Sequence, residues 1–360
     1  MKLYKITCAC ILATFSSTLE AQTKTNVVSK TGSTDNVVVE RFADINVLRY
    51  QVPVWDKLTL KEKELVYYLT QACTSGRDIM WDQNYRHNLK IRKALENIYT
   101  NYKGDKSSQD WKNFEIYLKR VWFSNGIHHH YSNDKIKPAF TKKYFLTLLK
   151  STKTQLDPTV TDILFNDVDS KKVNLDQSKG LIAGSAVNFY GSGLTEQEVE
   201  LFYNNIKSPD MDRPYSLGIN SKLIKTSAGK FEELTWKHAG MYGSAIDKIV
   251  FWLQKAKTVA ENKPQVDALQ LLIDFYNTGN LKTWDDYNIA WLKATEGNID
   301  YINGFVEVYN DPLGYRGSYE GVVQIKDFDM SAKMEVVSKN AQWFEDNSPL
   351  MPEHKKQNVV

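Results

Sequence analysis

The chain has 360 residues, a formal net charge of +3 and three cysteines. That length holds two or three domains, or one large one. The near-balanced charge, with no basic block, gives a nucleic-acid partner no electrostatic support, and so few cysteines exclude a disulfide framework.

The N-terminus reads as a secretory signal peptide over residues 1–21. Lys2 and Lys5 supply positive charge, Ile6 to Phe15 is a short apolar stretch, and the small residue Ala21 precedes Gln22. The apolar stretch is too short to span a bilayer. This predicts export to the periplasm or the cell exterior, and removes Cys8 and Cys10 to leave Cys73. Residues 22–40 are rich in Thr, Ser, Asn and Val without a period, and read as a linker. No later stretch has the length and apolarity of a membrane span.

From Arg41 the chain is dense in structural signals. Thr59-Leu60-Lys61-Glu62 is a capping box, which predicts a helix through Leu65, Leu69 and Cys73 ending near Gly76. Cys73 then occupies a core position. Helices are predicted at about Asn88–Tyr102, Gln109–Trp122 and Thr141–Lys150. Leu181 to Tyr190, bracketed by Gly180 and Gly191, predicts a strand. Thr195-Glu196-Gln197-Glu198 is a second capping box, opening a helix to about Asn205. Ser216–Thr226 and Phe231–Lys237 predict a hairpin with a glycine in its turn. Helices return at Gly243–Val259, between Pro264 and Gly279, and at Asp285–Lys293. Asp300–Tyr309 alternates and predicts a strand, and Ser331–Phe344 predicts a final helix. The class is mixed α+β and rich in helix.

Chemistry-bearing motifs are sparse. His128-His129-His130 offers three imidazoles, but adjacent side chains diverge on any regular backbone, and loop formers flank the run. A metal-binding role for this triplet is one hypothesis; a solvated loop is the other. No His is followed by the Glu of a zinc-protease helix, and no G-x-S-x-G elbow, P-loop or Cys-x-x-Cys pair occurs. The segment N-G-F-V-E-V-Y-N-D-P-L-G-Y-R-G-S-Y-E-G from Asn303 differs. Glu307 and Tyr309 are two apart, so a strand projects both from one face and turns Val308 to the core. A carboxylate beside a phenol at a strand end can take an amine and donate to an oxyanion. An ordinary polar strand face followed by a turn is the alternative.

Six segments together carry a resemblance. They are R-F-A-D-I-N-V-L-R-Y-Q-V-P from Arg41, G-R-D-I-M-W-D-Q-N from Gly76 and Y-L-K-R-V-W-F-S-N-G-I-H-H-H-Y-S from Tyr117. The others are Y-G-S-A-I-D-K-I-V-F-W-L from Tyr242, G-F-V-E-V-Y-N-D-P-L-G from Gly304 and N-A-Q-W-F-E-D-N-S-P from Asn340. The chain resembles the bacterial branch of the dipeptidyl peptidase III family, the M49 zinc metallo-exopeptidases.

The resemblance implies two lobes around a cleft. One contains a small β-barrel along which the substrate lies as an added strand; the other is helical and holds Zn2+. It implies removal of dipeptides from the N-termini of short peptides. By position, Glu307 matches the carboxylate that holds the substrate ammonium, Tyr309 the phenol that hydrogen-bonds the scissile carbonyl, and Glu320 a second acid near that ammonium. Asn125 and Tyr131 match a segment bordering the cleft. The family's zinc motifs, H-E-x-x-G-H and E-E-x-x-A/S, are missing from this sequence, so it offers no metal ligands. The expected organisation is a barrel-containing substrate lobe over 41–330 and the first helix of the zinc lobe over 331–360, about half of a typical member. A chain of this kind is expected to bind short peptides as a monomer and not to hydrolyse them alone. A non-catalytic peptide-binding remnant is the alternative.

Overall fold

Tertiary contacts divide the chain into two units in the computed structural model, which describes residues 37–206 and 212–359. The expected signal peptide, most of the expected linker, Cys8 and Cys10 lie outside the described residues. Residues 37–41 and 46–50 belong to the first unit, and residues 42–45 and 51–359 to the second. Strands β1 (Val38–Phe42) and β2 (Ile45–Leu48) form a two-stranded sheet. The backbone N–H of Arg49 donates to the Val37 carbonyl at 2.7 Å, and Val37, Val39, Val47 and Leu48 are exposed. This hairpin lies partly where the sequence predicts a linker; its Val-rich pattern suits a strand as well as a loop.

The second unit continues with α1 (Leu60–Ser75), α2 (Arg77–Asn84), α3 (Asn88–Asn101) and α4 (Gln109–Phe123). Then come α5 (Lys142–Ser151), α6 (Pro158–Ile163), α7 (Glu196–Asn205) and strands β3 (Ser221–Lys225) and β4 (Phe231–Thr235). Helices α8 (Gly243–Thr258), α9 (Lys263–Thr278) and α10 (Leu281–Lys293) lead to β5 (Ile299–Phe305) and β6 (Tyr319–Ile325). Two exposed helices follow, α11 (Phe328–Lys339) and α12 (Ala341–Asp346).

The capping signals work as the sequence predicts. Thr59 Oγ1 accepts from the Glu62 N–H at 3.3 Å, and the Glu62 carboxylate accepts from the Thr59 N–H at 2.6 Å. Thr195 and Glu198 repeat the arrangement at α7. Two donors that a helix start leaves unsatisfied are thereby paired. Leu65, Leu69 and Ala72 recur at helical spacing on α1 and are all buried. The Gly279 N–H closes α9 from a left-handed conformation by donating to the Phe275 carbonyl at 2.7 Å.

Two apolar cores result. One is helical and local, built from α2 to α6 around Trp81, Phe114, Leu118, Phe140 and Phe145. The other packs α1 and α7 to α10 against β3 to β6 around Leu69, Trp236, Leu253, Phe275, Phe305 and Tyr319. Strands β3 and β4 pair antiparallel with Ser221 opposite Thr235, and β5 and β6 pair with Ile299 opposite Ile325. Among the described residues every sheet has two strands, with an added parallel bridge from Tyr190 to Leu223. No described helix is long and apolar enough to cross a membrane.

Three expectations need correction. Leu181–Tyr190 is not a strand. Ala186, Val187, Phe189 and Tyr190 are buried almost without alternation, and their backbone bonds go to separate segments: Ala186 to Lys171, Asn188 to Gln83, and Phe189 to Leu223. The predicted strand to Tyr309 ends at Phe305 in regular form, because the chain turns once the Asp311 N–H donates to the Val308 carbonyl at 2.9 Å. The single final helix is two, divided at Asn340.

Candidate functional site

Strands β5 and β6 carry the site. Gly304 lies opposite Glu320, and beyond the regular ladder the Val306 N–H donates to Ser318 O at 3.0 Å while the Ser318 N–H donates to Glu307 O at 2.8 Å. The backbone of Glu307 is thus held against β6 although it lies past the strand end. Its side chain is exposed. So are Val308 and, at 70% exposure, Tyr309. The expected burial of Val308 fails: after Phe305 the arm lifts off the core, and both side-chain directions meet solvent.

The two acids and the phenol share one electrostatic neighbourhood. Burial, and next the charge of Glu307, push the half-buried Glu320 carboxyl above the usual carboxylate range. Burial raises the Tyr309 phenol, and Glu320, Glu307 and Tyr131 raise it further. Tyr131, on a highly exposed loop position, is therefore close enough to act on Tyr309. Four of the five sequence candidates converge. Two carboxylates with no hydrogen-bond or ion-pair partner among the described residues, beside a neutral phenol, form a site that a cation relieves.

Asn125 is engaged elsewhere. Its backbone is left-handed at φ 50°, its amide donates to the Met80 sulfur at 3.4 Å, and its carbonyl accepts from Asn84 at 3.1 Å. With Arg77, Trp81, Arg92, Glu96 and Trp122 it lines a cavity of about 310 Å³.

The histidine run splits three ways. His128 is buried, with Nε2–H donating to the Asp169 carbonyl at 2.7 Å. His129 Nδ1 accepts from the N–H groups of Tyr131 and Ser132 at 3.2 and 3.1 Å. His130 stands edge-on to Phe123. Among the described residues no group of three His, Cys, Asp or Glu side chains could hold a metal ion. The residues described here do not fit the zinc that the resemblance implies.

Sequence reasoning missed the frame around the arm. Gln83, buried on α2, donates to Gly317 O at 3.1 Å and accepts from the Tyr319 N–H at 2.8 Å. Asp311, also buried, accepts from the N–H groups of Leu313, Tyr315 and Arg316 at 2.9–3.0 Å and from the Tyr190 hydroxyl at 2.7 Å. The Asp-Pro turn signal was visible in the sequence; the partner more than a hundred residues away was not.

Comparison with known proteins extends the resemblance. Residues 182–359 match the model of peptidase family M49. Dipeptidyl peptidase 3 of Dictyostelium discoideum is 24% identical over 328 residues, covering 80% of this chain and 44% of that protein. Dipeptidyl peptidase 3 of Homo sapiens is 22% identical, covering 69% of this chain and 38% of that protein. The chain is similar to the dipeptidyl peptidase III family, and the M49 match takes in 178 of its 360 residues. It spans less than half the length of these relatives. The structure of DPP III from Caldithrix abyssi superposes with a TM-score of 0.58 at 18% identity, covering 84% of this chain and 47% of that one. DPP III from Corallococcus sp. strain EGB gives 0.56 at 17% identity, covering 85% and 46%. The mixed helix and sheet architecture is therefore that of dipeptidyl peptidase III structures over the shared part.

Proposed function

We propose that this chain is the peptide-binding part of an exported metallopeptidase of the dipeptidyl peptidase type. The observation that carries the reading is the convergence of Glu307, Glu320 and Tyr309 at one end of the β5–β6 hairpin. A peptide's N-terminal ammonium relieves the repulsion between the two carboxylates and receives charge-assisted hydrogen bonds. The Tyr309 phenol, neutral and exposed, is free to donate to a peptide carbonyl. Anchoring the amine fixes how far along the peptide that carbonyl lies, which is what a dipeptide-counting enzyme needs.

In this reading residues 41–330 form the barrel-containing substrate lobe, residues 331–360 begin the helical zinc lobe, and residues 1–21 direct export. The substrate is a short peptide with a free N-terminus, bound by a monomer. The Zn2+ that the resemblance implies would supply Lewis-acid chemistry, and none of the residues described here would hold it. The residues of this chain bind and orient, and the chain alone is expected not to hydrolyse peptides.

Titration calorimetry with a tetrapeptide and its N-acetylated form tests this. The free amine should bind at least tenfold more tightly, and Glu307→Gln should abolish the difference. Affinity for the free peptide should fall as pH drops through the raised Glu320 pKa, because the ammonium then meets a neutral acid. Equal affinity for both peptides would overturn the reading.

A further inference from the structure

Arg316 is fully buried, and no atom of its guanidinium has a hydrogen-bond acceptor among the described residues. A buried charge without a partner is costly, so something else must hold it. Three rings do. The guanidinium carbon lies 4.9 Å from the ring centres of both Tyr190 and Tyr203, and 5.9 Å from that of Tyr315. Each of the two nearer rings donates a hydroxyl hydrogen bond to a carboxylate. Tyr190 donates to Asp311 at 2.7 Å and Tyr203 to Glu233 at 2.5 Å. The cation thus sits between two anions, each one ring away, and the ring faces carry the attraction. Gly218 makes the approach possible. It has φ +81°, and a Cβ there would come within 2.2 Å of Arg316 Nη1.

The cage is connected to the arm by a short chain of bonds. Arg316 fixes the Tyr190 ring, and Tyr190 fixes Asp311. Asp311 holds the backbone of Leu313, Tyr315 and Arg316, and its own N–H donates to Val308 O between Glu307 and Tyr309. We propose that Arg316 is a positioning residue: its tyrosine-caged guanidinium sets the turn that aims Glu307 and Tyr309 at the peptide. This rests on the peptide-binding reading above and adds a residue that touches no peptide.

The test uses the full 360-residue chain. Arg316→Lys keeps the charge and loses the planar face. Its amides at 311–316 should exchange hydrogen at least tenfold faster, while those of α9 stay unchanged. Its preference for the free over the acetylated tetrapeptide should fall at least fivefold. In a Glu307→Gln background Arg316→Lys should lower peptide affinity less than it does in the parent, because only the Tyr309 contact is left for it to misplace. Unchanged exchange, unchanged preference, or a full additive loss in that background each overturns the role. If Arg316→Lys does not melt cooperatively, Tyr190→Phe replaces it, with the same readouts and the same criteria. A parent chain with no preference for free amines overturns the peptide-binding reading and this role together. A parent with that preference and a variant that keeps it overturns only the role of Arg316.

Discussion

The β5–β6 hairpin and the α11–α12 segment carry comparable apolar content and meet opposite fates. Tyr301, Phe305 and Tyr319 are buried against Trp236, Tyr276 and Trp284, whereas Met330, Met334, Trp343 and Phe344 are all more than half exposed. Neither α11 nor α12 buries a single residue. Amphipathic spacing therefore specifies a face that is able to pack, and only a tertiary partner turns that ability into stability. The hairpin packs against α1 and within the core that holds Tyr276 and Trp284; the two last helices bury no residue, and α11 meets its neighbours at the surface, where Lys57 lies over the Phe328 ring.

The largest expected effect tests that contrast directly. Phe305→Ala should destabilise by about 3–5 kcal/mol, through lost transfer energy and a cavity. Phe344→Ala should stay within about 0.5 kcal/mol, because an exposed ring loses little. Urea unfolding measures both, and similar costs would erase the distinction. A buried histidine sharpens it. Burial pushes the His128 imidazole down to about 4. The folded state keeps His128 neutral where the unfolded chain protonates it. Its contribution is present above about pH 6.5 and lost as pH falls toward about 4, by an amount on the order of 3 kcal/mol. His128→Gln should flatten that acid slope, as read from unfolding midpoints across the window. The smallest effect concerns caps. Thr59→Ala should cost about 1 kcal/mol, since α1 is packed. Asp327→Ala removes an equivalent bond to the Met330 N–H, yet should leave the global unfolding midpoint in place and only lower helical signal slightly.

Local chemistry was the legible part of this fold. Thr59, Glu62, Thr195, Glu198 and Gly279 announce helix ends because capping acts within a few residues. Helix α2 escaped notice because it buries Gln83 and Asn84, which read as surface, and because Gly76 both ends α1 and opens α2. The false strand at 181–190 arose from apolar residues whose backbone partners lie on three unrelated segments. At the candidate site, Glu307 and Tyr309 are named from one motif and Glu320 and Tyr131 from position in the resemblance, and their roles stand as proposals. Asn125 was named by the same route and serves the local loop geometry. Arg316 could not be named, because a buried cation is expected beside a carboxylate, and rings distant in sequence hold it instead.

Cys73 lies where α1 meets the hairpin. Asn303 donates to its sulfur at 3.6 Å, and a Cβ on Gly321 would come within 2.6 Å of the Cys73 side chain, so the two elements touch through a space with no room to spare. Burial raises its thiol pKa, which keeps the reactive thiolate scarce. Any adduct on that sulfur must occupy the volume the hairpin fills. Cys73 is only part-buried, so its reactivity toward a bulky thiol reagent reports how tightly β5–β6 sits on α1.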